Sequence, residues 1–86
     1  MTLPRIYFDG NDEGDRGYLL VFDKSRADIA KIPGGPKEGM LVTIYSVGEI
    51  EMEAHLAWDP QWNAWAGRPV EGTTRDNTES WDDHKE

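Results

Sequence analysis

Apolar and polar residues alternate most regularly between residues 49 and 58. The apolar positions are Ile50, Met52, Ala54, Leu56 and Trp58, and the intervening positions are Glu49, Glu51, Glu53, His55 and Ala57. A period of two is typical of a strand that buries one face and exposes the other. We therefore predict a strand here, with residues 41–45 as its hairpin partner and residues 62–68 as a third strand.

The register of the first hairpin follows from the preference of apolar residues to oppose one another on the buried face. A three-residue turn at residues 47–49 places Ile44 opposite Met52, and Gly48 can take the left-handed conformation that such a turn needs. A two-residue turn places Ile44 opposite Glu51 instead. That alternative stays open, and it would bury Leu41, Thr43 and Tyr45.

The second hairpin is predicted to turn at residues 59–61. A three-residue connection there sets Trp58 opposite Trp62, where both close one end of the core. In the same register Trp65 opposes His55 and lies on the outer, exposed face. We therefore expect the first two tryptophans to be buried and the third to be a surface residue.

Shorter elements precede these strands. Residues 6–8 and 18–22 are apolar runs rich in aromatic and branched side chains, which predicts two strands, and the loop between them is polar. Ser25 can cap a short helical segment at residues 26–32, which the Pro- and Gly-containing stretch after it must end. The segment is too short to be stable alone and must pack on a sheet.

Five short strands and one helical turn define the predicted fold class. It is mostly β, a small antiparallel barrel or a strongly bent sheet with one short helical segment. In outline this arrangement resembles an SH3-like barrel. The likeness is one of architecture alone, and a fold by itself does not give a function.

The distribution of residue types divides the chain into a domain at residues 1–71 and an acidic tail at residues 72–86. All 16 Leu, Ile, Val and Phe residues of the 86-residue chain lie before residue 71. The tail has too little apolar surface to offset the entropy of ordering it, so we expect it to be disordered. A chain without cysteine, signal peptide or long apolar run is expected in the cytoplasm and not in a membrane.

Charge narrows the range of partners. The net charge is −8, with nine basic residues scattered among 17 acidic ones, so nucleic acid is not expected to bind. Acidic proteins attract basic partners, although charge of this kind also serves solubility alone. Edge strands in so small a sheet could pair between chains, so the protein is expected to be a monomer or a homodimer.

Motifs for catalysis and cofactors are sparse. The stretch from Asp9 to Asp15 matches half of a calcium-binding loop, but Leu20 stands where a bidentate glutamate belongs. We expect no calcium binding at physiological affinity. Ser46 and His55 have no catalytic sequence context, and the chain has no phosphate-binding loop. The sequence predicts neither an enzyme nor a cofactor.

The remaining signal is aromatic and acidic side chains on the outer face of the predicted sheet. Tryptophan and tyrosine are enriched at binding hot spots, and a tryptophan beside carboxylates suits a basic peptide. The predicted partner-binding residues are Leu41, Tyr45, Glu51, Glu53, His55 and Trp65. They indicate a non-enzymatic interaction module for a protein or peptide. The alternatives are an acidic inhibitor that mimics nucleic acid and a calcium-responsive loop protein.

Overall fold

The computed structural model describes residues 3–11, 13–46 and 50–76. In chain order the elements are β1 (Arg5–Tyr7), β2 (Glu13–Gly14), β3 (Gly17–Leu19), α1 (Asp23–Ala30), β4 (Leu41–Tyr45), β5 (Ile50–Asp59), β6 (Ala64–Pro69) and β7 (Arg75–Asp76). The fold is therefore mostly β with one short helix, as the sequence predicts. Within these residues, no helix has the length and apolar character needed to cross a membrane.

All the strands belong to one mixed sheet, in the order β1-β4-β5-β6-β3-β2, and β7 adds a pair to β5. The predicted antiparallel arrangement is wrong at β1, which lies parallel to β4. A parallel pair needs a long crossover, and β2, β3 and α1 together provide it. The two ends of the described sheet do not pair with each other, so closure into a barrel with an SH3-like outline stays a prediction.

The predicted register of the first hairpin is confirmed. Ile44 pairs with Met52 and Val42 pairs with Ala54, and Ser46 donates its backbone N–H to the Ile50 carbonyl. Three residues therefore lie between Ser46 and Ile50, and the two-residue alternative is wrong. The register follows directly from the apolar alternation of β5, because a slip of one residue would turn every buried side chain outward.

The predicted register of the second hairpin is wrong by three residues. Trp58 pairs with Trp65, and His55 pairs with Arg68. The turn takes four residues, 60–63, and ends at Asn63, whose φ of 52° is left-handed. Because the slip is an odd number of residues, it moves every β6 side chain to the opposite face from the one predicted.

The core lies between one face of the sheet and α1. It contains Ile6, Phe8, Leu20, Ile29, Ile32, Val42, Ile44, Met52, Ala54 and Leu56, with Tyr18, Met40, Ile50 and Trp65 packed at its margin. At the far end of β5 the opposite face is covered as well. Ala57 and Asp59 are buried there, in line with Ala66 and Leu19 of the neighbouring strands. The simple alternation of the sequence therefore fails beyond Leu56.

Helix α1 covers the outer edge of β1, where the backbone of Tyr7 has no strand neighbour. Asp28 Oδ2 accepts the Tyr7 N–H at 3.0 Å, and Ser25 Oγ donates to the Tyr7 carbonyl at 2.6 Å. Ser25 is fully buried, and the prediction that it caps the helix is wrong. Helix α1 starts at Asp23, two residues before Ser25, and its N-cap residue, Phe22, makes no side-chain hydrogen bond. Helix and edge strand are thus joined by side-chain hydrogen bonds that satisfy otherwise unpaired backbone groups.

We expect Ser25→Ala to lower the free energy of unfolding by about 1–3 kcal/mol, because it leaves the Tyr7 carbonyl under the helix without a donor. Urea unfolding monitored by circular dichroism measures the change. Ala27→Ser is the matched control, since residue 27 is exposed on the same helix and reports the difference in helix propensity alone. Equal stabilities of Ser25→Ala and the wild type would show that the helix does not hold this edge.

The first residues of the predicted tail pack against β5. Thr73 Oγ1 accepts the Glu53 N–H at 3.0 Å and donates to the Val70 carbonyl at 2.6 Å. Residues 75–76 then pair with residues 50–51. Residues 77–86 lie outside the described residues, so their predicted disorder stays a prediction.

Two truncations separate these parts of the tail. We expect removal of residues 77–86 to leave the melting temperature nearly unchanged. Removal of residues 73–86 takes away the Thr73 hydroxyl and β7, a loss of about 1–2 kcal/mol or roughly 5–10 °C for a domain of this size. Differential scanning calorimetry of the two shortened chains measures both values. Identical melting temperatures would mean that the contacts of Thr73 and β7 contribute nothing to stability.

Candidate functional site

Five of the six predicted binding residues share one face of the sheet. Strand pairing aligns Tyr45 with Glu51, Thr43 with Glu53, and Leu41 with His55, and directly opposed residues project to the same side. We call this surface the outer face, defined by Leu41, Tyr45, Glu51, Glu53 and His55. His55 is exposed and the other four are half-buried.

Glu51 is held by two arginines from the strands around it. Its Oε1 lies 3.2 Å from Arg5 Nη1, and its Oε2 lies 2.7 Å from Arg75 Nη2, and the Glu51 side chain is only 13% exposed. Both carboxylate oxygens thus have a cationic partner within the chain. A basic partner would have to displace an arginine to reach Glu51, so this residue contributes to the sheet rather than to a free acidic surface.

Tyr45 lies at the centre of an aromatic and charged cluster beside α1. The Arg5 guanidinium carbon is 4.7 Å from the centroid of the Tyr45 ring, and the Tyr7 ring meets it edge-on at 6.0 Å. A hydrogen bond to Tyr45 and the nearby Asp28 carboxylate raise the pKa of the Lys24 amine. The ring is therefore enclosed by cations that belong to the chain itself.

An open groove of about 390 Å³ runs beside His55, lined in part by Glu38, Arg68 and Val70. We call it the outer groove. His55 Nδ1 lies 3.1 Å from the Gly39 carbonyl, which accepts a hydrogen bond from the tautomer protonated there. Arg68 makes no ion pair within the described residues. Three arginines, 5, 68 and 75, therefore lie beside the outer face. Its surroundings are not as acidic as the sequence predicts.

Trp65 lies on the opposite side of the sheet from the rest of the predicted site. It pairs with Trp58, packs at the margin of the core and is half-buried. The two indole rings meet edge to face, with centroids 5.3 Å apart and planes at 74°. Trp58, predicted to be buried, is 37% exposed, and Trp62 is 55% exposed. The predicted assignments of these three tryptophans are therefore wrong.

A second groove, of about 170 Å³, opens beside this tryptophan pair, between α1 and the β5–β6 turn. It is lined by Leu20, Arg26, Ile29, Trp58, Asn63, Ala64 and Trp65. We call it the tryptophan groove. Its lining is apolar and aromatic apart from one amide and one guanidinium, and Arg26 is exposed. Arg26 makes no ion pair within the described residues.

Local backbone chemistry builds this groove. Leu20 donates its N–H to the Trp65 carbonyl at 2.9 Å, which fixes the two walls against each other. Asp59 Oδ1 accepts the Gln61 N–H and the Asp59 carbonyl accepts the Trp62 N–H, so the turn that displays Trp62 is held closed. The other oxygen, Oδ2, is buried and has no hydrogen-bond partner among the described residues. The density of tryptophan in the sequence was the available signal for this surface, and the wrong register directed it to the outer face.

The candidate ligands of the half calcium motif are not gathered into one cluster in the part of the chain that the structure describes. Asp9 Oδ1 accepts the Asn11 N–H at 3.0 Å, so one candidate ligand closes its own turn. Glu13 and Gly14 form β2, and residue 12 lies outside the described residues. No group of three or more acidic or histidine side chains comes together among the residues described. Calcium binding by this loop stays untested.

Comparisons of the chain with protein-family models, with curated proteins and with solved structures find no match. We therefore infer the function from the two surfaces of this sheet.

Proposed function

We propose that the protein is a non-enzymatic interaction module that binds a protein or peptide partner, with the tryptophan groove as its principal contact. The exposure of Trp58 and Trp62, at 37% and 55%, beside a concave apolar surface carries this proposal. Large apolar side chains that are exposed together at one place on a folded domain indicate an interaction site. Tryptophan and arginine are also the residue types most enriched at binding hot spots.

The size of the tryptophan groove favours a side chain of a partner over a small-molecule ligand. Its volume of about 170 Å³ is below the roughly 300–1,000 Å³ of pockets that bind drug-sized ligands. Its walls come from α1 and the β5–β6 hairpin, two elements anchored in the core. A rigid notch of this size can take one large apolar side chain of a partner as an anchor, while Trp62 contributes apolar area nearby.

The outer face is a second candidate surface, for a basic partner. The observation in its favour is that the Glu53 carboxylate makes no ion pair within the described residues and lies on the same face as exposed His55. The two surfaces lie on opposite sides of the sheet, so single substitutions can separate them. We expect Trp58→Ala to affect only the first and Glu53→Lys only the second.

Selection from a random peptide library on the immobilised full-length protein tests the proposal. We expect enriched peptides to share a large apolar residue and to lose at least about 2 kcal/mol of binding free energy, roughly thirty-fold in Kd, on Trp58→Ala. Glu53→Lys is the matched control and should leave the Kd unchanged. Circular dichroism of both variants verifies that the fold persists.

Two results would contradict the proposed site. If Glu53→Lys abolishes binding and Trp58→Ala does not, the outer face is the binding surface. If no peptide is enriched over a blank support, and turnover of a panel of hydrolase substrates is detected instead, the non-enzymatic function itself is wrong.

A further inference from the structure

We propose that the tryptophan groove selects a peptide segment in which a large apolar side chain is followed closely by a carboxylate. This inference rests on the proposed interaction function and specifies the chemistry of its partner. The groove offers apolar and aromatic walls for the side chain and a single charged group, Arg26, at its margin. The occupant that satisfies both features is an acidic, apolar peptide, which is the opposite of the basic partner expected from net charge.

Within the described residues Arg26 has no carboxylate partner, unlike Arg5 and Arg75 on the outer side of the sheet. Arg5 and Arg75 both bind Glu51. Arg26 is exposed and makes no ion pair in the described part of the chain, and Asp23, three residues earlier on α1, does not bridge to it. A planar guanidinium can hold a carboxylate through two parallel hydrogen bonds, which gives direction as well as attraction. A basic segment seated on the same walls would place its cation beside Arg26 instead.

The acidity of the whole chain does not oppose this selection at contact distance. The net charge of −8 is distributed along the chain, half of it in residues 71–86, and at physiological ionic strength charges separated by more than about 8 Å are largely screened. Long-range repulsion then slows the encounter with an acidic peptide, while the groups at the groove decide which complex persists. Affinity for an acidic peptide should therefore increase as salt is raised from very low concentration and decrease once Arg26 itself is screened.

A large apolar residue followed directly by two aspartates, as in the test peptides described next, occurs in the chain at Trp81-Asp82-Asp83, outside the described residues. Trp81→Ala in the full-length protein is therefore the background for the binding measurements, so that this segment of the same or another copy cannot compete. It also removes one indole N–H signal, so that those remaining come from Trp58, Trp62 and Trp65.

Short capped peptides test the charge selection directly. Three share a central leucine and carry two aspartates, two lysines or two serines after it, and a fourth has the aspartates but alanine in place of leucine. Isothermal calorimetry and the indole N–H signals of the labelled protein report binding. We expect the leucine–aspartate peptide to bind at least about tenfold more tightly than the leucine–lysine peptide, a difference of about 1.4 kcal/mol, and the alanine peptide to bind weakly.

Charge reversal at the groove assigns the effect to Arg26. We expect Arg26→Glu to reverse the order of the aspartate and lysine peptides. Arg68→Glu makes the same charge change on the outer face and should leave the order intact. If the leucine peptides bind equally whatever their charge, the interaction function stands and this inference is overturned. If Arg68→Glu reverses the order, the carboxylate binds in the outer groove and the inference is overturned as well. If no leucine peptide binds, both proposals fail.

Discussion

Gly17→Ala should destabilise the protein by about 3–5 kcal/mol, among the largest effects of any single methyl group in this fold. Gly17 has a φ of 127°, which side chains other than glycine rarely adopt. A Cβ there would lie 2.3 Å from the Gly67 carbonyl oxygen and 2.7 Å from its carbonyl carbon. Both atoms are backbone of β6, so no side-chain rotation can relieve the contact.

The consequence reaches the sheet as a whole. Tyr18, the next residue, pairs with Gly67, so a shift large enough to admit the Cβ separates β3 from β6. Beyond β3 only β2 follows in the described sheet, and the Phe8 ring contacts the Tyr18 ring in a tilted arrangement, with centroids 4.9 Å apart. A domain of this size has a total stability of roughly 4–13 kcal/mol, so the substitution removes a large part of it.

Gly39→Ala separates the steric effect from the effect of backbone conformation. Gly39 has a φ of 81° but no atom within 4 Å of a Cβ built there. We expect it to lose only about 1 kcal/mol, through conformational strain alone. Urea unfolding of both variants, followed by circular dichroism, gives the two values. If Gly17→Ala fails to fold while Gly39→Ala folds, the expectation is met; equal stabilities would show that β3 does not approach β6 this closely.

The sequence predicts the first hairpin because the information is local and redundant. Four consecutive apolar positions of β5 alternate with polar ones, and β4 offers Val42 and Ile44 at matching positions. Of the registers given by a two-residue and a three-residue turn, only the second opposes the two apolar sets, and the structure has that register. The five outer-face residues of the predicted site follow from the same alternation, because each projects opposite to a buried neighbour.

The predicted register of the second hairpin is wrong because the pattern of apolar and polar residues does not determine it. Residues 62–66 are all apolar except Asn63, so shifts of the register leave plausible pairs on both faces. The turn sets the register of β5 and β6. In it the Asp59 side chain accepts the Gln61 N–H, and Asn63 takes a left-handed conformation. In addition, Ala57 and Asp59 are buried on the side expected to be exposed. Alternation identifies one buried face, and this end of β5 has two.

Other features depend on contacts between distant residues. The parallel pairing of β1 with β4 requires a crossover through residues 8–40, and the partners of Ser25 and Asp28 lie 18 and 21 residues away. The Thr73 hydroxyl accepts the Glu53 N–H in place of a backbone carbonyl, and the two residues are 20 apart in the sequence. Local propensities do not specify such contacts, so the pairing of residues 75–76 with β5 and the role of Ser25 could not be predicted from them.

The order of stability of two tryptophan variants tests the revised register. We expect Trp65→Ala to lower the free energy of unfolding by about 2–4 kcal/mol, because the ring packs on the core but is only half-buried. Trp58→Ala should lower it by about 1 kcal/mol, chiefly through loss of the edge-to-face pair, which contributes about 0.5–1.5 kcal/mol. The register predicted from the sequence gives the reverse order, with Trp58 buried and Trp65 on the surface.

Urea unfolding of the two single variants and the double variant measures these energies and the coupling between the rings. The 5.3 Å edge-to-face geometry predicts a coupling of about 0.5–1.5 kcal/mol. Peptide binding measured on the same samples separates function from stability: Trp58→Ala should lose affinity while it remains folded, because its exposed ring is one wall of the tryptophan groove. If Trp58→Ala is instead the more destabilising variant, then Trp58 belongs to the core, the β5–β6 register differs from the one described, and the groove is not formed by these walls.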